Sequence, residues 1–191
     1  MLTYDELRTY DELRQHLEER HVNLSVHHPL FGDGVVVFPL WTLTGQLAGV
    51  QQYRPFASKT KSNDANGRYF TERTPGVVSV FGVESLHLSN VIFVTEGIFD
   101  ATRITSMGYS AIAVLSTTGI AGTKQWLASL GRPTIAVCDN DPPMPGFPYG
   151  VGMQLAELTD YHYQMPTNRD MGLMSDFEAV NIIRRCLKLI K

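Results

Sequence analysis

From Val91 onward the chain alternates between short apolar runs and amphipathic runs of regular length, and this alternation restricts its fold more than any other feature. Residues 91–95, 110–115, 134–138 and 161–165 read as strands. Residues 98–107, 122–130, 150–159 and 176–189 read as helices, the first two closed by Gly108 and Gly131. Strand-then-helix repetition predicts an α/β fold, a parallel sheet of about four strands with helices on both faces. The final helix has its own start signal, the capping box of Ser175 and Glu178, and gathers Arg184, Arg185, Lys188 and Lys191 at its negative end.

In an open α/β sheet, ligands sit outside the carboxyl ends of the strands, so charges at those ends carry the chemistry. The run VIFVTEGIFD ends its strand in Glu96-Gly97, with Asp100 about one helical turn further on. The run TIAVCDND ends in Asp139 and Asp141, which share a side if the extended conformation persists through Asn140. Asp170, in the loop after the fourth strand, adds a carboxylate from the same rim. Several acids without histidine or cysteine suit a hard cation, so Mg²⁺ or Mn²⁺, one to three ions, is the expected cofactor.

Upstream of Val91 the period changes. VVVFPLWTL, a Thr44-Gly45 turn and QLAGVQQYR predict a β-hairpin; RYFT and GVVSVFG predict two further short strands, and Gly82 to Leu86 a helical turn. Arg54, Lys59, Lys61, Arg68 and Arg73 emerge from strand ends and a polar loop, where several cations together can meet phosphates. Lys124 closes a loop, residues 116–124, that lies between a strand and a helix and lacks the glycine spacing of a P-loop. At the N-terminus an exact tandem hexapeptide, TYDELR-TYDELR, continues into QHLEER as an acidic amphipathic helix with capping-box pairs at Thr3/Glu6 and Thr9/Glu12. His21, His27 and His28 follow in a loop-like segment without metal-ligand spacing.

The 191 residues suffice for one sizeable core or two small subdomains. A net charge of −3 argues against a chain coated in positive charge, yet residues 34–90 carry five bases against three acids, and a polyanion is expected there. No apolar run approaches the ~20 residues of a membrane helix, and MLTYDELR is too acidic for a secretory signal, so a cytoplasmic protein without membrane contact is expected. Cys138 and Cys186 read as buried thiols.

The pair EGxxD (Glu96, Gly97, Asp100) and DxD (Asp139, Asp141), each after an apolar strand, resembles the TOPRIM domain. That domain is shared by bacterial-type primases, type IA and type II topoisomerases, OLD-family nucleases and small RNA-maturation and recombination proteins. The resemblance covers about residues 88–190. It implies acid/base chemistry for Glu96 and metal ligation by Asp100, Asp139 and Asp141. The preceding runs VVVFPLWTLTGQLAGVQQYRPF and GRYFTERTPGVVSVFGVESL look like the segment before TOPRIM in bacterial and phage primases. By that likeness Arg54 and Arg68 help to hold template or incoming nucleotide.

The expected organisation is an N-terminal amphipathic helix and loop over 1–33, a basic, mostly antiparallel α+β subdomain over 34–88 and a TOPRIM domain over 89–191. The implied function is that of a DNA primase-like nucleotidyltransferase, making short RNA primers on single-stranded DNA from ribonucleoside triphosphates. The alternatives are a metal-dependent TOPRIM nuclease and a catalytically weak nucleic-acid-binding or inhibitory module. The sequence departs from the primase pattern at Met171-Gly172, where a second acid is expected after Asp170. No cysteine-rich zinc module and no helicase-binding bundle is seen, so a separate zinc-binding protein and a replicative helicase are the expected partners. Such a short plan looks like a phage or mobile-element protein, or a minimal catalytic core.

Overall fold

The computed structural model describes residues 10–60 and 63–190. Thr3, Glu6 and Thr9 of the hexapeptide capping pairs, Lys61 and Lys191 lie outside them. Helix α1 (Tyr10–Glu19) buries Leu13 and Leu17, and a short helix α2 (Leu24–His27) is capped by Asn23, whose side chain accepts the Ser25 N–H. Strands β1 (Leu30–Gly32), β2 (Val35–Trp41), β3 (Leu47–Tyr53) and β4 (Tyr69–Arg73) form an antiparallel sheet in that order. The β2–β3 hairpin turns at Gly45, whose φ of +77° suits a residue without a Cβ. The segment before it is more ordered than the sequence suggested. α2 and β1 have four and three residues, too few to show a periodicity.

The second sheet is built from β5 (Ile92–Thr95), β6 (Ser110–Ala113), β7 (Thr134–Cys138) and β8 (Tyr161–Gln164). All pairs are parallel and the order is β6-β5-β7-β8. Helices α3 (Ile98–Ser106), α4 (Thr123–Ala128) and α5 (Asp176–Leu187) complete the expected alternation, and the Ser175–Glu178 capping box is formed. The segment expected as a helix over 150–159 is instead a 3₁₀ helix, Val151–Leu158. From β5 the chain passes to β6 on one side, and β7 lies on the other. A crevice therefore opens at the carboxyl ends of β5 and β7.

GVVSVFG does not form a strand of its own. Val80 makes an isolated bridge to Trp41 of β2, and Phe81 one to Ala113 of β6, so the segment stitches the two sheets together. Gly82 then turns at φ +92°, so close to β6 that a Cβ would meet the Ala111 carbonyl oxygen at 2.4 Å. Arg73 reinforces the junction, its Nη2 donating to the Val114 carbonyl at 2.6 Å.

The core explains why the parallel strands read as continuous apolar runs. Phe93, Ile135 and Val137 point into one hydrophobic cluster with Leu13, Phe38 and Phe81; Ile92, Val94, Ala136 and Cys138 point into a second with Leu127 and Leu155. Both faces are dry, so alternation disappears. The first cluster takes side chains from α1, the antiparallel sheet and the parallel sheet, which makes a single core span them. Cys138 and Cys186 are free and buried, as expected. No helix among the described residues is long and apolar enough to cross a membrane.

Candidate active site

At the crevice, β5 ends in Thr95, whose hydroxyl donates to the Gly97 carbonyl at 2.9 Å and fixes the turn that carries Glu96. Gly97 caps α3 in an extended conformation, and a Cβ there would stand 3.0 Å from Asp100 Oδ2. The missing side chain lets the Asp100 carboxylate fold back over the turn. Asp100 Oδ1 accepts the backbone N–H of Gly172 at 3.1 Å, which ties α3 to the loop after β8.

Asp139 follows β7 directly. A Cβ at Gly152 would meet its carbonyl oxygen at 2.8 Å, and one at Gly150, where φ is +85°, would meet the Asp141 carbonyl oxygen at 2.5 Å. The pair Gly150-Val151-Gly152 thus lets the 3₁₀ helix lie against the Asp139–Asp141 turn. The sequence reading assigned no role to these glycines, although two glycines two residues apart at a helix start were a legible signal.

Glu96, Asp100, Asp139 and Asp170 line one cleft of about 320 Å³, with Lys59 facing them from the loop between β3 and β4. Asp141 does not line the cleft; its Oδ2 accepts the Gly152 N–H at 2.9 Å from beside it. Burial, then the charges of Asp139 and Asp141, push the Glu96 carboxyl up to about 7, with Lys59 pulling the other way. Burial, then Asp139 and Asp170, raise Asp100 to about 7 against the opposing Gly172 hydrogen bond. Burial, then Asp170 and Asp141, raise Asp139 to about 6. These groups do not ionise independently, because each carboxylate charge raises the cost of the next.

The chain's donors fit a hard divalent cation on chemistry: all are carboxylate oxygens, and their raised proton affinities mark a place where positive charge is favoured. Among the described residues no three acidic, histidine or cysteine side chains close on one point. The acids form a row along a cleft. Such a row suits Mg²⁺, which keeps several waters and takes one or two carboxylates directly.

The cations divide. Lys59 is exposed at the cleft. Arg68 Nε donates to the Ala57 carbonyl at 2.9 Å and so holds the loop that presents Lys59, while Arg54 Nη2 donates to Gln52 Oε1 of β3 at 2.6 Å and leaves its Nη1 buried without a hydrogen-bond partner among the described residues. Arg73 is engaged at the sheet junction. Lys124 is exposed on the first turn of α4, off the cleft lining.

The structure adds a cation that sequence reasoning passed over. Arg20, just past α1, lines the cleft with its guanidinium carbon 4.0 Å from the Phe99 ring centroid, and its Nε is buried without a hydrogen-bond partner among the described residues. Nothing in the local pattern distinguished it from the other charges of an acidic helix. Tyr69, Asn63 and Thr71 complete the wall, with Asn63 Nδ2 donating to the Thr71 carbonyl at 2.6 Å and Thr71 N–H to Asn63 Oδ1 at 2.7 Å.

Solved structures match the fold across most or nearly all of the chain. A DnaG catalytic core superposes with a TM-score of 0.69 at 16% identity, over 97% of this chain and 76% of that one. The fold is that of a primase catalytic core. A DnaG primase catalytic domain solved bound to ssDNA gives a TM-score of 0.58 at 17% identity, over 95% of this chain and 59% of that one. The primase fragment of the bacteriophage T7 primase-helicase protein gives 0.54 at 13% identity, over 86% and 69%. Primase-core likeness thus extends through the antiparallel sheet as well as the TOPRIM half. Among the first matches this chain spans from 47% to 76% of the other chain's length. No protein-family model and no curated protein sequence matches it, so the likeness is one of fold.

Proposed function

We propose that the protein is a primase-like nucleotidyltransferase that joins ribonucleoside triphosphates into short primers on a single-stranded DNA template. The observation that carries this reading is the cleft itself: Glu96, Asp100 and Asp139, all with raised proton affinity, face Lys59 and Arg20 across the crevice between the two sheets. The fold likeness supports it, since the antiparallel sheet that supplies Lys59 is part of what the primase cores share.

When bound, Mg²⁺ or Mn²⁺ supplies activation of the attacking hydroxyl and neutralisation of charge at the reacting phosphate. Glu96, Asp100 and Asp139 are the residues that would hold it, with Asp170 at the outer rim. Burial and the neighbouring acids raise the proton affinity of Glu96, which suits its carboxylate to take the proton of a 3′-hydroxyl. Lys59 and Arg20 offset the charge of a triphosphate that the acid row alone would repel. Tyr69 offers a ring at the cleft wall, and the aromatic group of Tyr53, Tyr69 and Phe99 behind it stiffens that wall, Tyr53 stacking on Tyr69 at 5.3 Å.

The partners follow from the same reading. A DnaG domain has been solved with ssDNA, and the T7 primase fragment belongs to a primase-helicase. For this chain we propose a single-stranded DNA template, a replicative helicase and a separate zinc-binding protein for template choice. A second reading, a binding module without turnover, is favoured by the open spacing of the acids and by Met171-Gly172 standing where a further acid is expected.

One assay separates these readings. The protein, Mn²⁺ or Mg²⁺, ribonucleotides and labelled single-stranded DNA are incubated together, with Glu96→Gln and Asp139→Asn as controls. Ribonucleotide incorporation that both substitutions abolish supports the primase reading. DNA cleavage that needs no nucleotide marks a nuclease, and chelator-resistant binding with no turnover marks a binding module.

A further inference from the structure

The most one-sided surface of the molecule lies away from the cleft, on α5. At 100° per residue, Phe177, Asn181, Arg184, Arg185 and Lys188 fall within an arc of about 100°. Ala179, Ile182, Ile183 and Cys186 are buried on the opposite side. Phe177 is 77% exposed, the most exposed large hydrophobic side chain among the described residues. Arg184, Arg185 and Lys188 are exposed and line a concavity with Asn181. No ion pair among the described residues engages these three cations. The acids of the same helix point elsewhere and are occupied, Asp176 by Arg103 at 2.6 Å and Glu178 by Arg169 at 3.1 Å.

The first turn of α5 is tied to the loop that carries Asp170. Arg169, next to Asp170, donates to Glu178 Oε1 and to the Leu173 carbonyl, which anchors the rim of the cleft on the first turn of α5. Phe177 lies on that same first turn, and the cations follow it toward the C-terminal end of the helix. From Phe177 to Lys188 the stripe is about 17 Å long. Its basic part, Arg184 to Lys188, spans about 6 Å along the helix axis, and the long Arg and Lys side chains carry its reach beyond one phosphate of a single strand. Arg185 Nη1 donates to Tyr163 Oη of the edge strand β8 at 3.2 Å, which fixes the position of its guanidinium.

We propose that this face of α5 is a second nucleic-acid contact, a track on which a single strand leaving the cleft stacks a base on Phe177 and lays its phosphates on Arg184, Arg185 and Lys188. An exposed aromatic followed by unpaired cations is the combination that holds single strands without reading sequence. The inference rests on the reading that the cleft works on nucleic acid. It adds a site that neither the acid row nor the antiparallel sheet supplies.

The test is a fluorescence-anisotropy titration of labelled single-stranded DNA with the full chain across a range of NaCl concentrations. The variants are Arg184→Ala/Arg185→Ala/Lys188→Ala, Phe177→Ala and Glu96→Gln. The triple variant is expected to bind more weakly and to flatten the slope of log K against log salt by about 2, three contacts at ~0.7 each. Phe177→Ala is expected to weaken binding about tenfold with the slope unchanged. Glu96→Gln is expected to lose primer synthesis and keep the wild-type slope, so primer synthesis that survives Glu96→Gln counts against the cleft reading alone and leaves the track standing. An unchanged slope in a triple variant that melts cooperatively overturns the track, whether or not primers are made, and so does a wild type that binds no single strand. Cations that only complement the helix dipole would lower the melting temperature and leave the slope untouched. Equal displacement by poly-glutamate, with no effect of Phe177→Ala, marks a general acid-binding face and also overturns the proposal.

Discussion

Gly172 donates its backbone N–H to Asp100 Oδ1 at 3.1 Å, and a Cβ on Gly172 would come within 2.9 Å of Phe99 Cβ and 3.0 Å of the Phe99 carbonyl oxygen. The glycine that stands where an acid was expected is thus what lets the Asp170 loop dock on α3. Its contribution to the acid row is an amide in place of a carboxylate.

Gly172→Ala tests this docking. The new methyl meets backbone, which cannot swing aside, so a loss of about 1–3 kcal/mol is expected. At about 2–4 °C per kcal/mol this lowers the melting temperature by several degrees. Thermal unfolding by circular dichroism measures it, and a melting temperature equal to wild type would show that the loop docks by other means.

Glu96→Gln and Asp139→Asn are expected to move activity and stability in opposite directions. Ribonucleotide incorporation should fall by about 10² or more, because a group placed for proton transfer is gone or its neighbouring charge is lost. Melting temperature at pH 8 without divalent cations should rise, because each substitution removes one of several buried, mutually repelling carboxylates. A variant that is both inactive and less stable would place these acids in structural rather than electrostatic roles.

The pH dependence has a definite sign. Glu96 and Asp100 titrate at about 7 and Asp139 at about 6 in the folded chain, all above their ordinary values of 4.5 and 3.8. Between about pH 4 and 7 the folded state then holds more protons than the unfolded one, so stability falls as pH rises through that window. Metal-free protein should melt several degrees higher at pH 5 than at pH 8. Millimolar Mg²⁺ or Mn²⁺ should restore much of the difference at pH 8 and do little at pH 5, where protons already occupy the site. Differential scanning fluorimetry at the two pH values, with and without metal, reads this directly.

Lys59→Ala removes the cation that lowers the proton affinities of Glu96 and Asp139. The expected result is a several-fold higher KM for ribonucleotide and an alkaline shift of the acid limb of the pH–rate profile. A KM change with an unmoved profile would separate phosphate binding from the tuning of Glu96.

Ser175→Ala removes the hydroxyl of the α5 capping box, where Ser175 and Glu178 satisfy each other's backbone amides. About 1 kcal/mol of stability is at stake. Chemical denaturation should show the loss with the slope m unchanged.

What could be read from residues alone was whatever repeats locally. The β7 strand, the α5 capping box and the hairpin turn at Gly45 each announce themselves within a few neighbours, because apolar period and cap chemistry act over one or two turns. The strand ends carrying Glu96 and Asp139 followed from the same pattern, and a parallel sheet then required them to share a rim. Only the tertiary structure decided which charges face that rim. Arg54, Arg68 and Arg73 looked like Lys59 in the sequence, yet each puts one guanidinium nitrogen on a protein oxygen, of Gln52, Ala57 and Val114, and none of the three lines the cleft. Arg20 reached the cleft from the end of a helix that the sequence showed only as acidic and amphipathic, because α1 shares one core with both sheets. The segment GVVSVFG had the composition of a strand, and the folded chain used it as a seam between sheets. Local sequence sets the conformation of a segment over a few residues. The destination of a long polar side chain depends on carbonyls and rings dozens of positions away, which come into reach only once the core has formed.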